Sequence, residues 1–147
     1  MTFDLRPALP SDFEFAFEAK RDAMGPHIRA RWGWDEQFQL RHHAKRWAEK
    51  PWQIIGVGQT DIGTVSIDVR ATHMQFGEFY ILAPYRGRGL GTGVLSEALC
   101  TADALGLETR LEYLKWNPVA SLYARHSFTV VGENDIHYFL VRRPNEA

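Results

Sequence analysis

The chain has 147 residues, 45% of them hydrophobic and 24% charged, with a net charge of −1. That is enough for one domain with a sizeable core, and the ordinary composition excludes a disordered or fibrous chain. The near-zero charge argues against bulk nucleic-acid or membrane-surface binding, and the lone Cys100 excludes an internal disulfide framework or a CxxC motif.

"TFDLRPA" reads as a short first strand, ended by Pro7 and Pro10. Ser11 is expected to cap a helix through "DFEFAFEAKRDAM", with Glu14 completing a capping box and Gly25-Pro26 ending it. A second helix is expected from about Asp35 to Pro51, with Phe38, Leu40, Ala44 and Trp47 as its apolar positions. "WQIIGVGQTDIGTVSIDVR" predicts a hairpin turning at Thr60–Gly63, and "HMQFGEFYIL" a further strand. A glycine-rich turn then feeds a helix ending near Leu105, in which Cys100 is expected to be a small buried filler. "LETRLEYLK" predicts a strand, and Asn117 with Pro118 the start of a short helix. "FTVVG" and "IHYFLVR" predict a closing hairpin. The order βααβββαβαββ implies an α/β sandwich around a mixed, mainly antiparallel sheet. No run of ~18 apolar residues is present, and "MTFDLRPALPSDF" has no apolar core of signal-peptide length. The expectation is a single domain over residues 1–147, cytoplasmic, with no nucleic-acid or membrane partner, and a monomer or homodimer.

The stretch "YRGRGLGTGVL" places Gly87, Gly89, Gly91 and Gly93 at the mouth of a helix. Glycines let backbone N–H groups approach a ligand, and a helix N-terminus favours negative charge, so this pattern points to an anion cradle. A P-loop is excluded, because no lysine lies between Lys50 and Lys115. A dinucleotide fingerprint fails too, because its third glycine would fall on Thr92 or Val94. The pattern that fits is [RQ]-x-x-G-x-[GA] at Arg86, Gly89 and Gly91.

Together with "KWNPVASLYARHSF" and the closing "HYFLVRR", this stretch resembles the GNAT family of N-acetyltransferases. The resemblance implies acetyl-coenzyme A as co-substrate, its pyrophosphate held by Arg86, Gly87, Arg88, Gly89, Leu90, Gly91 and Thr92. It implies that Phe79, Tyr80, Ile81 and Leu82 offer backbone groups to the pantetheine arm, and that Asn117 contacts the coenzyme. It places Tyr123 near the thioester sulfur, as donor to the leaving thiolate. Glu112 is expected as the base that deprotonates the acceptor amine, with Glu78 or ordered water as the other options. Ser127 stands where the family usually has glycine, so either it takes a turn geometry that glycine adopts cheaply or the turn differs.

The segment "RARWGWDEQF" is expected to border the acceptor, with Trp32 and Trp34 as an apolar wall and Asp35 and Glu36 drawing in an amine; the same residues also suit a packed helix start. The histidines lack metal-ligand spacing: His42 and His43 are adjacent, and no HExxH occurs. No metal is expected. The implied activity is transfer of acetyl to a primary amine of a small molecule or peptide. The rival expectation is a non-catalytic acyl-coenzyme A-binding module.

Overall fold

The computed structural model describes residues 2–145. Its elements run β1 (Asp4–Pro7), α1 (Phe13–Trp32), α2 (Glu36–Glu49), β2 (Gln53–Val57), β3 (Thr60–Val69), β4 (His73–Ile81), α3 (Leu90–Leu105), β5 (Glu108–Leu114), α4 (Ala120–Arg125), β6 (Thr129–Glu133) and β7 (His137–Arg142). The strands form one seven-stranded sheet in the order β1-β2-β3-β4-β5-β7-β6. β1 with β2, β2 with β3, β5 with β7 and β6 with β7 are antiparallel, while β4 with β5 is parallel. This is the mixed, mainly antiparallel α+β fold and the element order expected from the sequence.

The chain divides into two compact units, one comprising the residues up to Ser66 with Glu78–Leu90, the other Ile67–Gly77 with the residues from Gly91 onward. In the first unit, α1 buries Ala16, Phe17, Ala19, Lys20, Met24 and Ile28. Phe13, Phe17, His43, Trp47 and Trp52 form an aromatic cluster with ring separations of 4.6 to 5.8 Å. His43 fits there because its Nε2 bonds the Phe13 carbonyl at 3.1 Å. β3 buries five consecutive residues, Ile62–Ser66, as a strand covered on both faces must. Gly63 is required at its position: a Cβ there would lie 2.3 Å from the Tyr80 carbonyl oxygen. Neither backbone can yield cheaply, so Gly63→Ala is expected to cost about 1–3 kcal/mol and lower the thermal midpoint by several degrees. Thermal unfolding followed by circular dichroism checks this.

In the second unit, α3 turns Val94, Leu95, Ala98, Leu99 and Ala102 inward at helical spacing. Asp103 on this helix accepts two bonds from Arg142, at 2.8 and 3.1 Å, and one from the Asn145 N–H at 2.9 Å, which ties down the chain after β7.

Several local expectations are corrected. Ser11 lies inside a 3-10 turn (Pro10–Asp12) and caps nothing; Asp12 accepts the Leu9 N–H at 2.7 Å and a forked pair of bonds from Arg6. Gly25-Pro26 does not end α1, which continues to Trp32 and stops at Gly33 with φ +74°. A proline crowds the Cβ of the residue before it, and Gly25 has none. The hairpin turns at Gly58-Gln59 rather than Thr60–Gly63, with Gly58 at φ +62° and a bulge at Ile55/Gly56. Asn117 precedes a turn, and α4 begins only at Ala120. Cys100 is exposed, because its position falls on the outer face of α3, beside the buried Leu99.

Candidate active site

The glycine stretch begins where β4 ends. A 3-10 turn at Ala83–Tyr85 follows Leu82, whose N–H bonds the Ile62 carbonyl at 2.9 Å. The backbone is extended at Arg86, then takes φ +74° at Gly87 and φ +83° at Gly89 before α3 starts at Leu90. Both values lie in the left-handed region that side chains disfavour. A Cβ added at either glycine meets nothing within 4 Å, so the space over this backbone is open. The first turn of α3 carries no acidic residue, and the first amides of any α-helix lack partners within it. The segment therefore fits an anion: open space over the glycines, and helix-start amides with no acidic side chain in their own turn.

Arg86 is engaged within the turn itself. Its Nε donates to the Ile81 carbonyl at 2.7 Å and its Nη2 to Asp22 at 2.6 Å, while Asp22 also accepts the Ala83 N–H at 2.9 Å. Arg86 thus fastens the turn to α1. Arg88 lies over the Tyr85 ring, 5.7 Å from its centroid.

Upstream on β4, Glu78 is a non-glycine residue at φ +48°. Its carbonyl accepts the Thr64 hydroxyl at 2.8 Å. Its carboxylate, 4% exposed, takes Arg46 at 2.8 Å and Lys50 at 3.2 Å on Oε1, and the Tyr80 hydroxyl at 3.2 Å on Oε2. Burial raises its pKa, but Lys50, Arg46 and Lys20 outweigh that and hold the carboxyl below the usual carboxylate value. A carboxylate so occupied is a weak proton acceptor. His42 accepts from Arg46 Nε at 2.8 Å, and burial with the nearby Lys20 and Arg46 lowers its pKa to about 4, so it is neutral. Sequence reasoning missed Lys20, Arg46 and Lys50. The available signal was the polar series Gln39, His43, Arg46 and Lys50, which recurs at helical spacing along α2.

The segment from Trp32 to Glu36 finds structural partners. Asp35 caps α2, accepting the Phe38 N–H at 3.1 Å, and Glu36 pairs with Arg21. Trp34 packs on Phe17 at 6.2 Å with the Arg21 guanidinium over its ring, and its Nε1 is buried without a hydrogen-bond partner among the described residues. Trp32 is 53% exposed.

In the second unit, β5 pairs in parallel with β4 at His73↔Glu108, Met74↔Thr109 and Gln75↔Arg110, and antiparallel with β7 along Thr109–Leu114. Alternation along β5 turns the buried Leu111 and the half-buried Tyr113 to one face and the exposed Glu112 to the other. Arg110 pairs with Glu108 at 2.8 Å, not with Glu112. Tyr113 stacks on Tyr123 at 5.8 Å, and Phe128 meets Tyr123 edge-on at 5.6 Å. Asn117 lies in the turn before α4, its N–H bonded to the Leu114 carbonyl at 2.8 Å and its carbonyl accepting from Val119 at 2.9 Å.

Tyr123 is 6% exposed and held from both ends of its helix. Its N–H bonds Val119, and its carbonyl accepts the Phe128 N–H at 3.1 Å, while the Ser127 N–H bonds Ala124 at 3.2 Å. These two bonds and the Tyr123–Phe128 contact make a Schellman ending, which needs a left-handed residue at position 127. Ser127 supplies it at φ +68°, the glycine-like of the two geometries the sequence left open. Ser127→Gly is therefore expected to stabilise the fold by about 1 kcal/mol, raising the thermal midpoint by a few degrees in a melt against the parent chain. Burial, with a smaller contribution from Tyr113, raises the Tyr123 pKa well above the ordinary phenol value, so it stays protonated.

No helix among the described residues is long and apolar enough to cross a membrane. No curated protein sequence matches the chain. Solved structures do match over nearly its whole length. An N-acetyltransferase named PaiA from Thermoplasma acidophilum, in complex with coenzyme A, superposes with a TM-score of 0.74 at 18% identity, covering 97% of this chain and 99% of that one. An acetyltransferase from Thermus thermophilus gives 0.76 at 18% identity, covering 97% of each. The ribosomal-protein-S18-alanine N-acetyltransferase of Escherichia coli gives 0.72 at 13% identity, covering 99% of this chain and 96% of that one. At such identities they establish a shared fold. The acetyltransferase (GNAT) family model matches residues 9–128, and the chain accordingly belongs to that family, as an N-acetyltransferase that uses acetyl-coenzyme A.

Proposed function

We propose that residues 1–147 act as one catalytic domain that transfers acetyl from acetyl-coenzyme A directly to a primary amine of a small molecule or peptide. The observation that carries this reading is the open, left-handed glycine backbone at Gly87 and Gly89, leading into a helix start free of acidic side chains. The amides of residues 87–92 hold the pyrophosphate, with Arg86 positioning the turn. The backbone of Phe79–Leu82 holds the pantetheine arm, and Asn117 adds a polar contact. The coenzyme supplies an activated thioester; the protein orients it and manages the protons. Tyr123 donates a hydrogen bond to the sulfur as it leaves. Trp32 offers an aromatic wall to the acceptor.

Glu112 is the base in this reading. It makes no ion pair with Arg110, whereas Glu78 already accepts three donors. Glu112→Gln keeps the shape and removes the basicity. It is expected to lower kcat on the order of 10²-fold, with rescue as pH rises and the free amine becomes abundant, since a lysine-like ammonium titrates near ~10.4 and an α-amine near ~8. A pH–rate profile of the variant checks this; a profile like that of the parent would move the role to ordered water.

The reading as a whole is tested by free-thiol release from acetyl-coenzyme A across polyamines, amino acids, aminoglycosides and peptides, with the acetylated amine identified by mass spectrometry. Thiol release that depends on one class of amine is the expected result. Tight coenzyme binding without amine-dependent release would favour the binding module instead.

A further inference from the structure

An amphipathic helix turns its apolar face to the core. α2 does the reverse along one stripe: Gln39 and His43 are buried and Arg46 and Lys50 half-buried, while Phe38 is 53% exposed. Facing that stripe from α1 is Lys20, 7% exposed. Lys20 feels Glu78 as an attraction and Arg46 and Lys50 as repulsions, yet it makes no hydrogen bond or ion pair of its own among the described residues. Both oxygens of Glu78 are already taken by Arg46, Lys50 and Tyr80. His42, bonded to Arg46, is neutral and brings no negative charge; His43 is spent on the Phe13 carbonyl. Three cations thus share one carboxylate, and a buried ammonium without a partner is costly. Glu78 itself holds φ +48°, with its carbonyl bonded by the Thr64 hydroxyl, a strained backbone of the kind found at functional sites.

We propose that the Lys20–Arg46–Lys50 group around Glu78 receives an anionic group, a carboxylate or a phosphate, carried by the acceptor amine. The acceptor class is then an amino acid or an aminophosphate rather than a polyamine. The inference rests on the acetyltransferase reading for the word acceptor: Glu78 directly precedes Phe79–Leu82, the strand assigned there to the thioester arm. A carboxylate or phosphate supplies the charge the group lacks, and Lys20 supplies an uncommitted donor. Asp35 and Glu36, engaged by the α2 amide and by Arg21, are not needed to attract a cation.

The experiment compares thiol release with each amino acid and with its carboxamide, and with 2-aminoethylphosphonate beside ethanolamine, in the parent chain, Lys20→Met and Lys20→Arg. In parallel, inorganic phosphate is titrated into the full chain with and without saturating coenzyme A, following the Lys20 side-chain NMR signal. The expected result is a kcat/KM preference of about tenfold or more for an anionic acceptor over its neutral counterpart. That preference falls toward unity in Lys20→Met and is kept in Lys20→Arg, while circular dichroism of Lys20→Met and its retained thiol release with the neutral acceptor exclude misfolding as the cause. Phosphate is expected to shift the Lys20 signal even with coenzyme A bound. Loss of the shift on adding the coenzyme would assign the cations to the coenzyme's own phosphates and overturn the inference. Thiol release without anion preference would overturn it too, and leave the transferase reading standing. A phosphate shift with no thiol release from any amine would do the opposite, supporting the anion site and contradicting the transferase reading.

Discussion

Gly89→Val is expected to abolish coenzyme A binding by a protein that remains folded. Gly89 has φ +83°, and a β-branched residue there is strained by its own backbone. The strain is local, because a Cβ at this position meets nothing within 4 Å. A cost of about 1–3 kcal/mol is a tolerable fraction of a typical folding free energy but is enough to swing the turn out of register. The isopropyl group also fills the open space through which the backbone amides would reach a pyrophosphate. Calorimetry, with circular dichroism to confirm folding, should show no measurable binding. Unchanged affinity in a folded variant would contradict the anion cradle. Arg86→Ala should do less: it releases the turn from Asp22 and the Ile81 carbonyl, but leaves the helix-start amides in place.

Tyr123→Phe is expected to lower kcat on the order of 10²-fold while coenzyme affinity changes little. The ring is fixed by Tyr113, Phe128 and the Schellman ending, so phenylalanine should occupy the same place. What disappears is the hydroxyl. Its pKa lies above the ordinary phenol value, whereas a free thiol titrates near ~8.5. Full proton transfer to the leaving thiolate is therefore uphill, and the useful contribution is a hydrogen bond to the charge as it forms. Removing one such donor typically costs about 10²–10³ in rate. Single-turnover kinetics with chemistry rate-limiting checks this. An unchanged rate would make Tyr123 a packing residue only.

The parts of the fold with strong periodicity were legible in the sequence. α3 and β5 end where their patterns end, and the glycine turn with its left-handed positions follows from residue type. The ending of α4 was legible only as a choice between a glycine-like serine and a different turn, and Ser127 takes the first at φ +68°. Other features were not legible, for physical reasons. Proline costs α1 a hydrogen bond at Pro26, but one of its clashes, with the Cβ of the preceding residue, is absent at Gly25, and the helix runs on. The hairpin turn was placed late because β3 is buried on both faces, so its polar start at Thr60-Asp61 looks like a loop. The polar stripe of α2 was not read because its partner is a carboxylate on β4, and nothing local announces a charged residue as the group being packed against. The candidate site divides in the same way: the left-handed turn is written in glycines, but the cation group depends on residues far apart in the chain.

The most direct test compares the parent chain and Tyr123→Phe, at equal coenzyme saturation, for conversion of isotopically labelled acetyl-coenzyme A. The account predicts that the parent releases one thiol for each labelled N-acetyl product formed, only when an amine is supplied, and that Tyr123→Phe binds the coenzyme as tightly but forms product far more slowly. Equal, amine-independent traces from the two proteins would contradict it, and would mark the chain as a module that holds the coenzyme without using it.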